Sequence, residues 1–403
     1  MSAKVRLWIM MFLQYAIWGA WGPVLSAYLI NDLGFNGNQV GVIYSLLPLA
    51  TIISPFIGGQ LADRYFSTEK VIAFLQLTGG ALLIYIATVT DYTVMMWLML
   101  LYCLLYAPTL ALTNSIAFIN LEDTEKDFGK IRVGGTLGWI AAGLALSAWR
   151  WAGQSSGTSA IHGDTLILGG IISIIMGLQS FTLPHTPPKK EGASPWAFLD
   201  ALKMLKDINF TIFLIISFVV STELMFYYIL TAPFLMSDTI GISGTVVAGV
   251  MTIAQIAEIV VMVILLPIVL PKYGIRKTMI IGILAWPIRY IIFAIGSPAW
   301  LVVASLALHG FCYVFFFTVA FIYVDTIAPK DIRNSAQSLI TVVVLGFGNY
   351  VGSRFAGWVQ TYFTAGEATN WTGIFLVPVV LTVLCALAFL LFFKEKRSEA
   401  VKQ

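Results

Sequence analysis

Apolar runs broken by short polar stretches fill the chain. Trp8 to Ile30, Val71 to Val89, Met95 to Ile119 and Val377 to Phe393 are the clearest. Each approaches or exceeds the roughly twenty residues that carry a helix across a hydrocarbon core. A transmembrane barrel would show short alternating segments instead. Without water in the bilayer, each backbone N–H and C=O has to pair within its own segment, so these runs are helices. Counting them predicts spans over 5–30, 38–62, 70–90, 93–119, 131–150, 164–183, 209–236, 243–270, 276–296, 298–326, 335–362 and 371–394. The expected fold is therefore an all-α membrane protein with twelve transmembrane helices.

The longest polar break, Pro184 to Ile208, contains Pro187, Pro188, Lys189, Lys190 and Glu191 and divides the spans six and six. It predicts an N-terminal bundle over 1–183, a cytoplasmic linker over 184–208 and a C-terminal bundle over 209–403. Two weak matches recur at nearly the same offset: Arg64-Tyr65 with Lys272-Tyr273, and Tyr106 with Tyr313. Parallel repeats related by an axis along the membrane normal would produce such an offset, with a binding site expected where the repeats meet.

Charge tests the count. Only 11% of the 403 residues are charged and 59% are hydrophobic, against about a quarter charged in soluble domains. With the N-terminus inside, all 23 Lys and Arg except Arg132, Arg150, Arg289 and Arg354 fall on the inner side, as short cytoplasmic loops require. Both termini are thus expected in the cytoplasm, in a multi-pass protein of the cell membrane. The net charge of +3 reports orientation and gives no basic stripe for nucleic acid. Cys103, Cys312 and Cys385 lie within spans without metal or disulfide spacing, and read as small buried hydrophobes. The first span is too long for a signal-peptide core and is expected to be retained. No Gly-rich nucleotide loop, metal-spaced His/Cys set or Ser/His/Asp array stands out, and only His162, His185 and His309 exist. An enzyme is not expected, and neither is a cofactor.

Ionisable and polar residues inside spans mark solute pathways, because a charge in hydrocarbon costs at least about 2.5–3.5 kcal/mol. Arg132, Thr136 and Trp139 stand at i, i+4 and i+7, on one stripe of the fifth span. A cation, a hydroxyl and an indole there suit a ligand polar at one end and planar at the other; the alternative is an arginine that snorkels to the interface. Gln255 and Glu258, at i and i+3 on the eighth span, aim an amide and a carboxylate at one volume. Glu258, and likewise Glu223 on the seventh span, should face the bundle interior and meet a proton, a cation or a substrate donor; the alternative is a static pair with Arg289 or Arg354. Gln14, Trp18, Asn114 and Tyr313 are further candidates. Gly134, Gly135 and Gly138, with Gly348 and Gly352, read as close helix contacts.

The loop Gly59-Gln60-Leu61-Ala62-Asp63-Arg64, with a degenerate copy at Tyr273-Gly274-Ile275-Arg276-Lys277, resembles the signature of the major facilitator superfamily. That resemblance implies two pseudo-symmetric six-helix bundles and a conformational gating role for Asp63 and Arg64. Further patches resemble the nucleoside:proton symporter family within it. They include Phe12-Leu13-Gln14 with Trp18-Gly19-Ala20-Trp21, Pro108-Thr109-Leu110, Ile131-Arg132-Val133 with Gly135-Thr136-Leu137-Gly138, Ala254-Gln255-Ile256-Ala257-Glu258, and Ser335-Ala336-Gln337. The resemblance implies a monomeric secondary transporter, driven by the proton gradient, for a nucleoside or a related small polar metabolite. It also implies that the stripe with Trp139 lines the nucleoside site. A sugar or organic-anion carrier, or an uncoupled facilitator, is the other reading.

The chain departs from that family at three positions. Met225 and Tyr228 stand where well-studied members carry Gln and Asn, and Val314 stands where the pattern has an aspartate. Each lost hydrogen-bond partner leaves another polar group unpaired, at about 1–3 kcal/mol. The substrate is therefore expected to differ, or to be held more by stacking, with Met225 and Tyr228 still lining the site.

Overall fold

The structure is a computed structural model and describes residues 2–54, 66–155, 163–188, 196–366 and 368–394. Asp63 and Arg64 lie outside the described residues. The spans are α1 (Ala3–Trp21), α2 (Gly37–Ser54), α3 (Thr68–Ile86), α4 (Tyr92–Asn120), α5 (Thr124–Ser155), α6 (Asp164–Ser180) and α7 (Ile208–Met236). They continue with α8 (247–273), α9 (275–295), α10 (Ala299–Ile327), α11 (Lys330–Tyr362) and α12 (Trp371–Phe392). Among the described residues nine helical stretches are long and apolar enough to cross a membrane. The stretch Val247–Ile295 holds two spans, divided at Gly274 by a positive φ of 74°. With α1 and the shorter apolar α6 the twelve predicted spans are all present.

One span boundary and two connections differ from expectation. α5 begins at Thr124, about two turns before the predicted start, because the charges that read as loop are neutralised on the helix. Asp127 accepts from Lys4 Nζ at 2.5 Å and from Lys130 Nζ at 3.1 Å. Arg132 is therefore well inside the helix, not at its end. The stretch read as a polar linker contains an ordered 3₁₀ helix, Ala197–Lys206. A two-residue hairpin pairs Thr364 with Thr369 between α11 and α12.

Two compact units divide the chain. The first comprises residues up to Ala193 together with Thr231–Ser237 and Ile242–Thr252. Within it α1 packs along α5 and α6, and α3 along α6. Glycines allow the first of these approaches: a Cβ on Gly135 would sit 2.7 Å from the Tyr15 ring, and one on Gly138 would strike the Phe12 carbonyl. Segment 242–252 is held in this unit by polar bonds. Arg150 makes a bidentate ion pair with Asp164 (2.6 and 2.7 Å) and donates from Nη1 to the Gly244 carbonyl at 2.9 Å. Ser147 Oγ accepts from Gly249 N at 2.8 Å.

The second unit comprises Ser194–Leu230, Asp238–Gly241 and Ile253–Gln403. Here α9 packs on α12 and α10. Gly348 and Gly352 of α11 lie against Ser221, Thr222 and Met225 of α7. π-helical turns interrupt α8 (Val261–Leu265), α10 (Phe311–Thr318) and α11 (Val342–Gly348). Such turns concentrate at functional positions. The three cysteines are free and buried.

Candidate functional site

Each unit carries its own polar and aromatic cluster. In the first, the stripe Arg132, Thr136 and Trp139 forms as the spacing requires. Arg132 and Thr136 are half-buried and Trp139 is buried. The guanidinium does not reach away to the interface but lies over the Tyr15 ring, 4.0 Å from its centroid. The Trp139 indole meets Trp18 at 5.3 Å, tilted by 58°. A cation backed by one ring, a hydroxyl and two indoles thus share one side of the α1–α5 contact.

Gln14 belongs to a different arrangement. It is fully buried, donates to Thr109 Oγ1 at 2.9 Å and accepts from Gln76 Nε2 at 3.0 Å. Gln76 in turn accepts from Ser173 Oγ at 2.6 Å, and Tyr106 donates to the Gln14 carbonyl at 2.7 Å. Side chains of α1, α3, α4 and α6 are closed into one network, which leaves the Gln14 amide committed to protein partners. Asn114, half-buried on α4, donates to the Leu110 carbonyl at 3.1 Å.

The second unit's cluster is built from α7, α8, α9 and α10. Gln255 is buried with its side chain beside the Tyr227 hydroxyl. Glu258, half-buried one turn further along, lies within electrostatic reach of Tyr227 and Tyr228. Met225 is buried on α7; Tyr228 and Tyr313 are half-buried. The sequence-chosen residues Gln255, Glu258, Tyr228 and Tyr313 therefore do share one neighbourhood.

What joins them is a set of which the sequence pointed only to Arg289, as an alternative partner for the carboxylates. His309 is fully buried and its ring is stacked on Tyr227 (4.6 Å, 24°) and on Tyr313 (5.8 Å, 28°), with Tyr228 edge-on at 6.3 Å. Arg289, also fully buried, lies 4.6 Å from the Tyr227 and Trp286 rings and 5.0 Å from Tyr290. Among the described residues no carboxylate pairs with it. Three desolvated cation–π contacts, at about 2 kcal/mol each, are comparable with the several kcal/mol that burying an ion costs. Rings make the close contacts to this charge, with the Glu223 carboxyl within electrostatic reach but not in a salt bridge.

Arg289 Nη1 is 3.3 Å from His309 Nδ1. A guanidinium only donates, so Nδ1 accepts and the imidazole proton sits on Nε2. That atom is buried without a partner, as are Arg289 Nε and Glu223 Oε2. Glu223 is fully buried on α7; its Oε1 accepts weakly from Thr222 at 3.4 Å, and its backbone carbonyl accepts from Tyr290 at 2.5 Å. Arg354, offered above as a static partner for the carboxylates, is instead exposed. Val314 is fully buried among Val261 and Phe315, in a cluster flanked by Leu265 and Phe311. The position that holds an aspartate in the family pattern is here part of an apolar core.

Faint signals for the missed residues were present in the chain. His309 is a histidine inside a span, and Trp286, Arg289 and Tyr290 fall at i, i+3 and i+4, the spacing that gathers side chains on one helix face. Gln76 carried no comparable signal.

A family model described as nucleoside H+ symporter matches residues 1–398. The putative nucleoside transporter YegT of Escherichia coli (strain K12) is 37% identical across 99% of this chain and 96% of its own length. The nucleoside permease NupG of the same organism is 32% identical across 98% and 97%. A crystal structure of the nucleoside transporter NupG superposes with a TM-score of 0.87 at 30% identity, covering 98% of this chain and all of that one. The chain is thus a multi-pass inner-membrane transporter rather than an enzyme, has the major facilitator fold, and belongs to the nucleoside H+ symporter family.

Proposed function

We propose that this protein imports a nucleoside in symport with protons by alternating access, with both termini in the cytoplasm. The observation that carries the reading is the ring stack Tyr227–His309–Tyr313 beside Gln255 and Glu258. The half-buried rings of Tyr228 and Tyr313 at the edge of this stack suit a planar base, and an amide and a carboxylate suit its polar edge or the ribose hydroxyls. In the first unit Arg132, Thr136 and Trp139 offer the same combination of charge, hydroxyl and plane. The relatives named as nucleoside transporters support the substrate class.

Met225 and Tyr228 shift the balance from amide hydrogen bonds towards stacking. His309 Nε2–H, fixed as the donor by Arg289, supplies a replacement hydrogen bond. Proton coupling falls to Glu258 and Glu223, because Val314 has no carboxylate to contribute. A buried carboxylate oxygen without a partner, such as Glu223 Oε2, needs a proton or a cation when the surrounding helices rearrange. Asp63 and Arg64 are assigned to gating from the loop motif alone.

The test is uptake of labelled uridine into proteoliposomes under an inward pH gradient, with unlabelled adenosine and simple sugars as competitors. Accumulation should follow the gradient and be displaced by adenosine but not by sugars. Uptake indifferent to the gradient would remove the proton assignment, and displacement by sugars would remove the substrate class.

A further inference from the structure

The 3₁₀ helix Ala197–Lys206 ends two residues before α7 begins at Ile208. Runs of this geometry longer than three or four residues are uncommon, and their side chains eclipse every third position. The sequence has that period. Phe198, Ala201 and Met204 form one row, turned inwards: Ala201 is fully buried, and Met204 faces a cavity shared with Phe210 and Tyr323. Leu199, Leu202 and Leu205 continue the line of Trp196 in a second row, and all four are exposed. Asp200, Lys203 and Lys206 make the third row, also exposed. At 3.6 residues per turn the leucine row would wind around the helix, so the pattern and the 3₁₀ geometry select each other.

An exposed row of one indole and three leucines needs a cover. Its position names one. The adjoining α7 is a membrane span, so a helix ending two residues before it lies where that span leaves the hydrocarbon. Ile208 and Ile215 continue the exposed apolar surface along α7. The flanking lysines match the negative potential of an anionic leaflet.

We infer that the linker helix 197–206 lies on the membrane as an interfacial helix, with Trp196, Leu199, Leu202 and Leu205 in the acyl boundary and Lys203 and Lys206 on anionic lipid headgroups. The helix also packs against the start of α11, Arg333–Thr341, so the lipid surface holds the linker and the first turns of α11 together.

The native cysteines are buried, which permits nitroxide labels at single introduced cysteines in the full chain. Leu199→Cys, Leu202→Cys and Leu205→Cys, with Asp200→Cys, Lys203→Cys and Lys206→Cys, would be examined in phosphatidylcholine vesicles with and without phosphatidylglycerol. Expected is a three-residue alternation: the leucine positions collide with oxygen and not with a water-soluble nickel chelate, and the charged positions the reverse. Phosphatidylglycerol should deepen the Leu202 label, and Lys203→Gln with Lys206→Gln should cancel that deepening. Leucine positions open to nickel would overturn the inference. So would leucine positions closed to both reagents, which would mean a protein cover such as a second copy or a soluble partner. A Leu202 depth unaffected by phosphatidylglycerol would overturn the anionic-lipid assignment.

Discussion

The two units solve the burial of polar groups in opposite ways. In the first, Gln14, Gln76, Thr109 and Ser173 hydrogen-bond one another, and the chain of bonds runs through four helices. In the second, Glu223, Arg289 and His309 are equally buried, yet each keeps an atom without a partner, and aromatic rings take the place of hydrogen bonds. A satisfied network fixes its helices, because separating them leaves polar groups stranded at about 1–3 kcal/mol each. An unsatisfied one leaves groups that a ligand, a proton or a helix shift can still partner. The difference extends to the backbone: π-helical turns interrupt three spans of the second unit near its polar cluster, whereas in the first unit the described π turn is at Tyr28–Asp32, at the end of its span. We read the first polar network as architecture and the second as working parts.

Four substitutions would break or sharpen that contrast. Glu258→Gln has the largest expected effect: it should abolish gradient-driven accumulation while exchange across the membrane continues, measured as uptake against counterflow. Persistent accumulation would take the proton role away from Glu258. Val314→Asp follows, because Val314 is enclosed by Val261 and Phe315; placing the family's carboxylate there should destabilise by about 3 kcal/mol on the insertion scale and lower the thermal midpoint. A variant with unchanged midpoint would mean that a partner for this aspartate already exists. Gln76→Leu should cost about 2 kcal/mol, since Gln14 Oε1 and Thr109 Oγ1 lose a donor while Ser173 keeps the backbone carbonyl of residue 76, with transport per folded molecule retained. Loss of transport without loss of stability would place the first network in the mechanism. Glu223→Gln should change stability by less than about 1 kcal/mol, because Oε2 has no bond to lose, yet it should weaken accumulation. A large drop in the melting midpoint would show Glu223 to be structural.

Much of this was legible beforehand, for reasons that differ by residue. The stripe Arg132, Thr136 and Trp139 follows from helical spacing, and so does the joint placement of Gln255 with Glu258; local periodicity fixes which side chains share a face. Gly135 and Gly138 could be read as close contacts because a span has few other uses for glycine. His309 and Arg289 were not placed, since their meeting depends on how α9 and α10 rotate against α7. Gln14 was read as a site candidate for the same reason: the sequence shows a buried amide but not Gln76, Thr109 and Ser173 around it. The 3₁₀ linker helix was hidden by its polar setting, although its three-residue period is written in the chain.

The sequence by itself determined the twelve spans, because a chain in oil has no way to satisfy its backbone other than helix, whereas the start of α5 also depended on the pairing of Asp127 with Lys4. It also determined which polar residues are inside those spans. Only the tertiary structure decided which of them are consumed by neighbours and which are left unpartnered. That depends on the mutual rotation and depth of helices far apart in the chain, fixed by interhelical packing such as Gly138 against Phe12 and Arg289 among its rings.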